Sequence, residues 1–161
     1  MNISFRKALF FSGFGSLLLL ISAFSLEIFA NLEPCKLCIW QRWPHAIIVM
    51  LALFGLYIIK KTWILLLICL SAVISGGIGL YHTGIEQMWW SGPMGCSSNF
   101  GNETDITTLT NLLLDTQVVK CDEIIWSLFG ISMASWNSIF SFFIAVLSFI
   151  CWCQITIKRK S

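Results

Sequence analysis

Four of the seven cysteines, Cys35, Cys38, Cys96 and Cys121, sit in polar stretches between long apolar runs. Cys35 and Cys38 frame a Cys-Lys-Leu-Cys motif. Such a turn brings two sulfurs within bonding reach, and its surroundings often favour the thiolate of one of them. Arg42 follows Cys38 by four positions. On a helix that spacing stacks the guanidinium near the Cys38 sulfur, where it would favour a thiolate and could hydrogen-bond an acceptor oxygen. Cys96 and Cys121 have no neighbouring cysteine and lie in a second, longer polar stretch. Cys96 sits in the Gly/Ser/Pro-rich segment GPMGCSS. A disulfide held there is accessible to a partner's thiolate, and exchange through a mixed disulfide requires that access. The plainer readings are a static loop-closing disulfide and half of a zinc site, which would need two further ligands at suitable spacing. The two histidines, His45 and His82, flank different helices and do not supply that pattern. Cys69, Cys151 and Cys153 fall inside apolar runs and read as packing residues.

These residues are positioned by a membrane. The chain is 57% hydrophobic and 11% charged, against roughly 25% charged for soluble domains. A spanning helix needs about 20 mostly apolar residues. Four runs qualify, at about residues 8–30, 44–59, 63–81 and 139–157, giving an all-α, integral membrane four-helix bundle as one domain over 1–161. Arg6 and Lys7 before the first run, with Ala23 and Ser25 spaced as at a cleavage site, also resemble a secretory signal. That run stays apolar through Ala30 and three more follow, which favours a retained helix.

Basic residues set the orientation. Arg6, Lys7, Lys60, Lys61, Lys158, Arg159 and Lys160 share one face, and only Lys36, Arg42 and Lys120 lie on the other. The positive-inside rule places both termini in the cytoplasm and both cysteine-bearing loops outside, where disulfides persist. The net charge of +2 reflects these topology signals and implies no nucleic-acid partner, for which basic residues would cluster on one soluble face.

The outer loops, about residues 31–43 and 82–137, differ in kind. In the first, Pro34 blocks helix before Cys35, and Pro44 suits the first turn of the next helix. In the second, Asp105 could cap a short helix carrying Ile106, Leu109, Leu112 and Leu113 on one face. After Cys121, Ile124, Ile125, Leu128 and Phe129 form an apolar helical stripe flanked by Trp126 and Trp136, expected to lie along the membrane interface.

The chain resembles the disulfide bond formation protein B family, DsbB, the bacterial inner-membrane thiol:quinone oxidoreductases. The likeness runs nearly end to end. It rests on Cys35-x-x-Cys38 with Ile39, Trp40 and Arg42, and on Tyr81-His82-Thr83 closing the third run. It also rests on Cys121 followed by Trp126, Phe129-Gly130, Met133 and Trp136. The resemblance implies that Cys96 and Cys121 reoxidise a DsbA-like periplasmic thioredoxin-fold protein, with Cys96 in the mixed disulfide. It implies that Cys35 and Cys38 pass the electrons to ubiquinone or menaquinone. A bond between Cys35 and Cys121 is the implied intermediate, leaving Cys38 as the thiolate facing the quinone. Arg42 becomes the quinone-site cation and His82 a second quinone-site candidate, whose plainer role is to cap a helix at the interface. The sequence between Cys96 and Cys121 is its own, so the partner is either a general DsbA or a dedicated paralogue, as in the DsbI-type branch.

Two other classes answer to the same features. A haem- or quinone-binding respiratory subunit would use His45 and His82 as ligands, although neither sits mid-span on a shared face. A non-enzymatic assembly factor would keep static disulfides. Asn102-Glu103-Thr104 fits a glycosylation sequon, a three-residue pattern frequent by chance.

Overall fold

The computed structural model describes residues 5–58, 61–93 and 121–160. Cys96 and the expected helix over residues 105–113 lie outside them. Among the described residues, four helices are long and apolar enough to cross a membrane: α1 (Phe5–Phe29), α2 (Lys36–Tyr57), α3 (Trp63–Glu86) and α4 (Met133–Lys160). A short hairpin, β1 (Ser127–Leu128) and β2 (Ile131–Ser132), leads into α4. Each helix packs on its neighbours in sequence, and α4 closes the ring against α1. The chain is a four-helix membrane bundle.

Polarity is distributed as a bilayer demands. Outward positions carry large apolar side chains, including Phe10, Phe14, Ile21, Leu53, Leu70, Phe143 and Val146. Several inward positions are serines: Ser12, Ser16, Ser75, Ser141 and Ser148 are all buried. Lipid tails are as apolar as leucine, so helices associate there by close backbone approach and buried hydrogen bonds. Both devices are present. A methyl on Gly13 would lie 2.7 Å from Ala52 Cβ, and one on Gly79 3.0 Å from the Ala134 carbonyl oxygen. Ser12 and Ser148 join α1 to α4 with hydroxyls 3.1 Å apart.

Along the bundle three layers follow. One end is an apolar core built on Leu9, Ile48, Leu65, Ile68 and Ile144. The other end holds a smaller cluster of Cys35, Leu37, Ile85 and Cys121. Between them lies a belt of buried polar side chains around His45 and Gln41.

Two helices reach beyond the apolar runs that mark them in sequence. α2 begins at Lys36 rather than near Pro44, because Cys35 caps it: the Cys38 N–H donates to the Cys35 sulfur at 3.3 Å. Pro44 therefore sits inside the helix. A proline is tolerated at membrane depth where neighbouring groups serve the backbone, and the Ser75 hydroxyl donates to the Gln41 carbonyl at 3.2 Å in the turn that Pro44 disturbs. α3 continues to Glu86, turning His82 and Ile85 inward.

The expected apolar helix over residues 124–129 is corrected. Phe129 and Gly130 take positive φ values of 54° and 75°. Two successive left-handed residues make the turn that a tight hairpin requires, pairing Ser127 with Ser132 and Leu128 with Ile131. The Trp136 indole N–H ties the hairpin to α4 through the Leu128 carbonyl at 3.2 Å. Ile124, Ile125, Leu128 and Phe129 remain exposed, so the segment keeps an apolar face in extended form.

Candidate functional site

The end of the bundle that carries Cys35 is built by the start of α2. With Cys35 as its cap and Cys38 in its first turn, the two sulfurs approach to 3.1 Å. Two thiolates on a tetrahedral zinc ion, each about 2.3 Å from the metal, stay roughly 3.8 Å apart. Although Cys35, Cys38 and His82 bring their ligand atoms within 4.8 Å of one another, the sulfur contact is that of a dithiol in hydrogen-bond reach.

The Cys35 sulfur collects donors. It faces the Cys38 thiol, accepts the Cys38 backbone N–H, and lies 3.6 Å from His82 Nε2. The Cys38 thiol first, and His82 with it, outweigh burial and hold Cys35 well below the usual thiol range, at about 4. An N-capping sulfur at the positive end of a helix is where a thiolate is favoured.

A cavity of about 380 Å³ opens beside the dithiol. Its walls are mainly apolar, from Leu19, Ala23 and Leu26 on α1 to Trp136 and Phe140 on α4, with the hairpin residues Leu128 and Phe129 at one side. Cys35, Cys38, Gln41, Arg42, His45, His82 and Glu86 supply its polar points. A volume within the roughly 300–1,000 Å³ of small-molecule sites, apolar walls and few convergent polar groups suit a planar ring with polar oxygens at its edge.

Arg42 lines this cavity, but its guanidinium is held elsewhere than at the Cys38 sulfur. It pairs with Glu27 on α1 and lies 4.7 Å over the Phe24 ring. The group against the dithiol is instead His82. Cys121 is buried in the same cluster as Cys35 and is disulfide-bonded; Cys96 lies outside the described residues. Cys151 is buried in the apolar core with Cys69 packed against it, far along the bundle from the dithiol.

Several polar groups of the site were not singled out in the sequence. Gln41 Nε2 lies 3.1 Å from His82 Nδ1, and its Oε1 accepts from Asn137 Nδ2 at 2.7 Å. Asn137 Oδ1 lies 2.9 Å from His45 Nε2, and Ser16 Oγ is 3.2 Å from His45 Nδ1. Glu86 carries a buried carboxylate oxygen with no hydrogen-bond partner among the described residues. His45 and His82, which come from different helices, line one cavity and are linked through Gln41 and Asn137. The available signal was simple: a polar side chain within a membrane span is costly and marks a functional site by default. Gln41 and His45 also fall three and seven residues after Cys38, on its helical face.

Comparison with known proteins agrees with this geometry. Residues 5–151 match the family model described as disulfide bond formation protein DsbB. The chain is 32% identical over 141 residues to "Disulfide bond formation protein B" of Xylella fastidiosa (strain Temecula1), covering 82% of this chain and 80% of that one. It is 28% identical over 159 residues to the protein of the same name from Nitrosococcus oceani, covering 92% and 91%. It is also 24% identical over 125 residues to an uncharacterized protein of Rickettsia prowazekii, covering 76% and 73%. The chain therefore belongs to the DsbB family and is a multi-pass membrane protein of disulfide bond formation.

Proposed function

We propose that this protein is a thiol:quinone oxidoreductase of the bacterial inner membrane, which reoxidises a DsbA-like periplasmic dithiol protein and delivers the two electrons to a membrane quinone. The observation that carries the reading is the Cys35–Cys38 dithiol in contact with His82 at the edge of an apolar cavity that Arg42 and Phe140 also line. Net chemistry balances as partner dithiol plus quinone giving partner disulfide plus quinol. The partner's thiolate attacks the Cys96–Cys121 disulfide at Cys96 and leaves oxidised. The freed Cys121 thiolate attacks Cys35, and its burial with Cys35 favours that exchange. Cys38 is released as the thiolate facing the quinone. Arg42 and His82 are the groups that hold quinone oxygens. The whole chain works as one membrane unit, with both termini cytoplasmic and the four cysteines periplasmic.

The test supplies purified protein in a bilayer with a reduced thioredoxin-fold donor and either ubiquinone or menaquinone. The expected result is one quinol per donor disulfide formed, lost on replacing Cys35 or Cys38. Cysteines that stay oxidised whatever the quinone state would indicate static structural bonds instead.

A further inference from the structure

The buried polar belt forms a hydrogen-bond chain with one direction. His45 Nε2–H donates to Asn137 Oδ1 (2.9 Å), Asn137 Nδ2–H to Gln41 Oε1 (2.7 Å), and Gln41 Nε2–H to His82 Nδ1 (3.1 Å). That leaves His82 Nε2 to carry the proton and present it to the Cys35 sulfur at 3.6 Å, with a Glu86 carboxylate oxygen 3.9 Å from the same nitrogen and the Cys121 backbone also in hydrogen-bond reach of the ring. The other end is fixed as well, because His45 Nδ1 is then the acceptor of the Ser16 hydroxyl at 3.2 Å. Each amide spends its carbonyl on the group behind and its N–H on the group ahead. Every link crosses between helices, from α2 to α4 and back to α2, then from α2 to α3 and back to the cap of α2.

We infer that Gln41 and Asn137 are positioning residues that act on Cys35 through His82, by fixing the ring as an Nε2–H donor aimed at the sulfur. A neutral imidazole has two tautomers, and the bond made by one nitrogen decides which is present. Without a donor at Nδ1, His82 can carry its proton there and turn a lone pair toward Cys35, which would repel a thiolate. Aligned hydrogen bonds in a low-dielectric interior also polarise one another, strengthening the last one. No proton or electron is transferred along the amides; they set an orientation. The inference goes beyond the proposed reaction and rests on that reading only in taking Cys35 for a working thiol.

Other titratable groups face the same space. Cys38 and Arg42 come from α2, Glu86 from α3, Glu27 from α1, and Glu33, Glu123 and Cys121 from the connecting segments. None of them changes in the variants below. The experiment follows alkylation of Cys35 against pH in the full-length, reduced, quinone-free protein, read by mass spectrometry of the Cys35 peptide. Gln41→Leu removes the donor to Nδ1, and the Cys35 titration should move up by about one pH unit or more, a tenfold slower alkylation at fixed low pH. Asn137→Leu should move it the same way by less. Gln41→Glu is nearly isosteric but can only accept from the ring, so it draws a second proton onto His82. With an imidazolium beside the sulfur, the Cys35 titration should stay at the wild-type position or fall below it. A packing role for Gln41 would disturb Cys35 in one direction in both variants, so an upward shift in Gln41→Glu overturns the inference, as does no shift in Gln41→Leu. Quinone reduction plays no part in this readout. A wild type inactive toward quinone but showing the opposed shifts would sink the proposed reaction and leave the chain standing.

Discussion

At the residue scale, the position of Arg42 changes what its substitution should do. Its guanidinium is shared with Glu27 and the Phe24 ring, and a guanidinium has five donors, so others remain for a quinone oxygen. A charge-assisted hydrogen bond is worth roughly 1.5–3 kcal/mol, or about ten- to a hundredfold in affinity at about 1.4 kcal/mol per decade. Arg42→Ala should raise the KM for quinone by that factor while leaving thiol exchange at Cys96 nearly normal, and Arg42→Lys should restore it only in part because the planar fork is lost. Glu27→Gln, which frees the fork without removing it, should raise KM only a few-fold. Stopped-flow quinone reduction across the three variants decides it; a headgroup anchor would leave Arg42→Lys like wild type and quinone kinetics unmoved. Cys35 offers a second measurement. Its thiol is lowered from an ordinary value of 9.0 to about 4. A depressed group stabilises the folded, reduced protein fully above pH 9, loses that contribution as pH falls, and supplies none below about 4. The disulfide form has no such group. Reduction of the Cys35–Cys38 bond should therefore take up one proton per two electrons between pH 5 and 8, and the potential should fall by about 30 mV per pH unit instead of about 59. Equilibration with thiol buffers across that range measures the slope, and the steeper value would show a second proton held by the Cys35–His82 pair.

Among the elements, the end of α3 is packed by the segment that follows it. The Trp90 indole covers Gly84, stacks on Tyr81 at 5.9 Å, and donates to the Tyr81 carbonyl at 3.1 Å. A methyl at Gly84 would overlap that indole, and overpacking of this kind costs about 1–3 kcal/mol. Gly84→Ala should destabilise the bundle by that amount and slow exchange with the partner, while quinone still reoxidises the dithiol. Because the clash needs both groups, Ala at 84 should cost almost nothing in a Trp90→Ala background, a non-additivity that a double-mutant cycle of denaturation midpoints reads directly. Additive costs would place the damage in α3 itself. The same elements show what a sequence can disclose. Four long apolar runs announce four helices because backbone in lipid must satisfy itself. Their ends are harder, since α2 is extended by a sulfur cap that no hydropathy pattern contains. The hairpin was hidden because Ile124, Ile125, Leu128 and Phe129 suit an apolar stripe in either geometry, and only the Phe129-Gly130 turn separates the two. Cys35 and Cys38 are legible as neighbours from spacing alone. Asn137, arriving from α4 to meet Gln41 and His45 on α2, depends on how the helices close, which spacing does not encode.

For the whole molecule, the layers are unequal from one end to the other. An apolar core with Cys151 fills one end, and the dithiol, the cavity and Cys121 occupy the other. If Arg6, Lys7, Lys60, Lys61 and Lys158 mark the cytoplasmic face, as positive charge does in membrane proteins, the working end lies outside. Cys96 should then react with a membrane-impermeant thiol reagent in reduced, intact cells, and a cysteine introduced at Lys60 should not; labelling at position 60 alone would show the bundle inverted. With sidedness established, the division of labour between the two cysteine pairs becomes testable on the same cells. In the proposed relay the outer pair exchanges with a soluble protein and the inner pair meets the cavity, so their losses should fail at different steps. Cys96→Ala should abolish capture of the partner while a Cys35–Cys38 dithiol is still reoxidised by added quinone. Cys38→Ala should do the reverse, since capture at Cys96 proceeds and the electrons have no exit, so mixed disulfides with the partner accumulate. Non-reducing gels of trapped complexes, paired with quinone reduction by the purified variants, separate the two failures. A relay in series predicts complete and complementary losses. Equal, partial losses from all four cysteine substitutions would mean that the sulfurs only brace the outer loops.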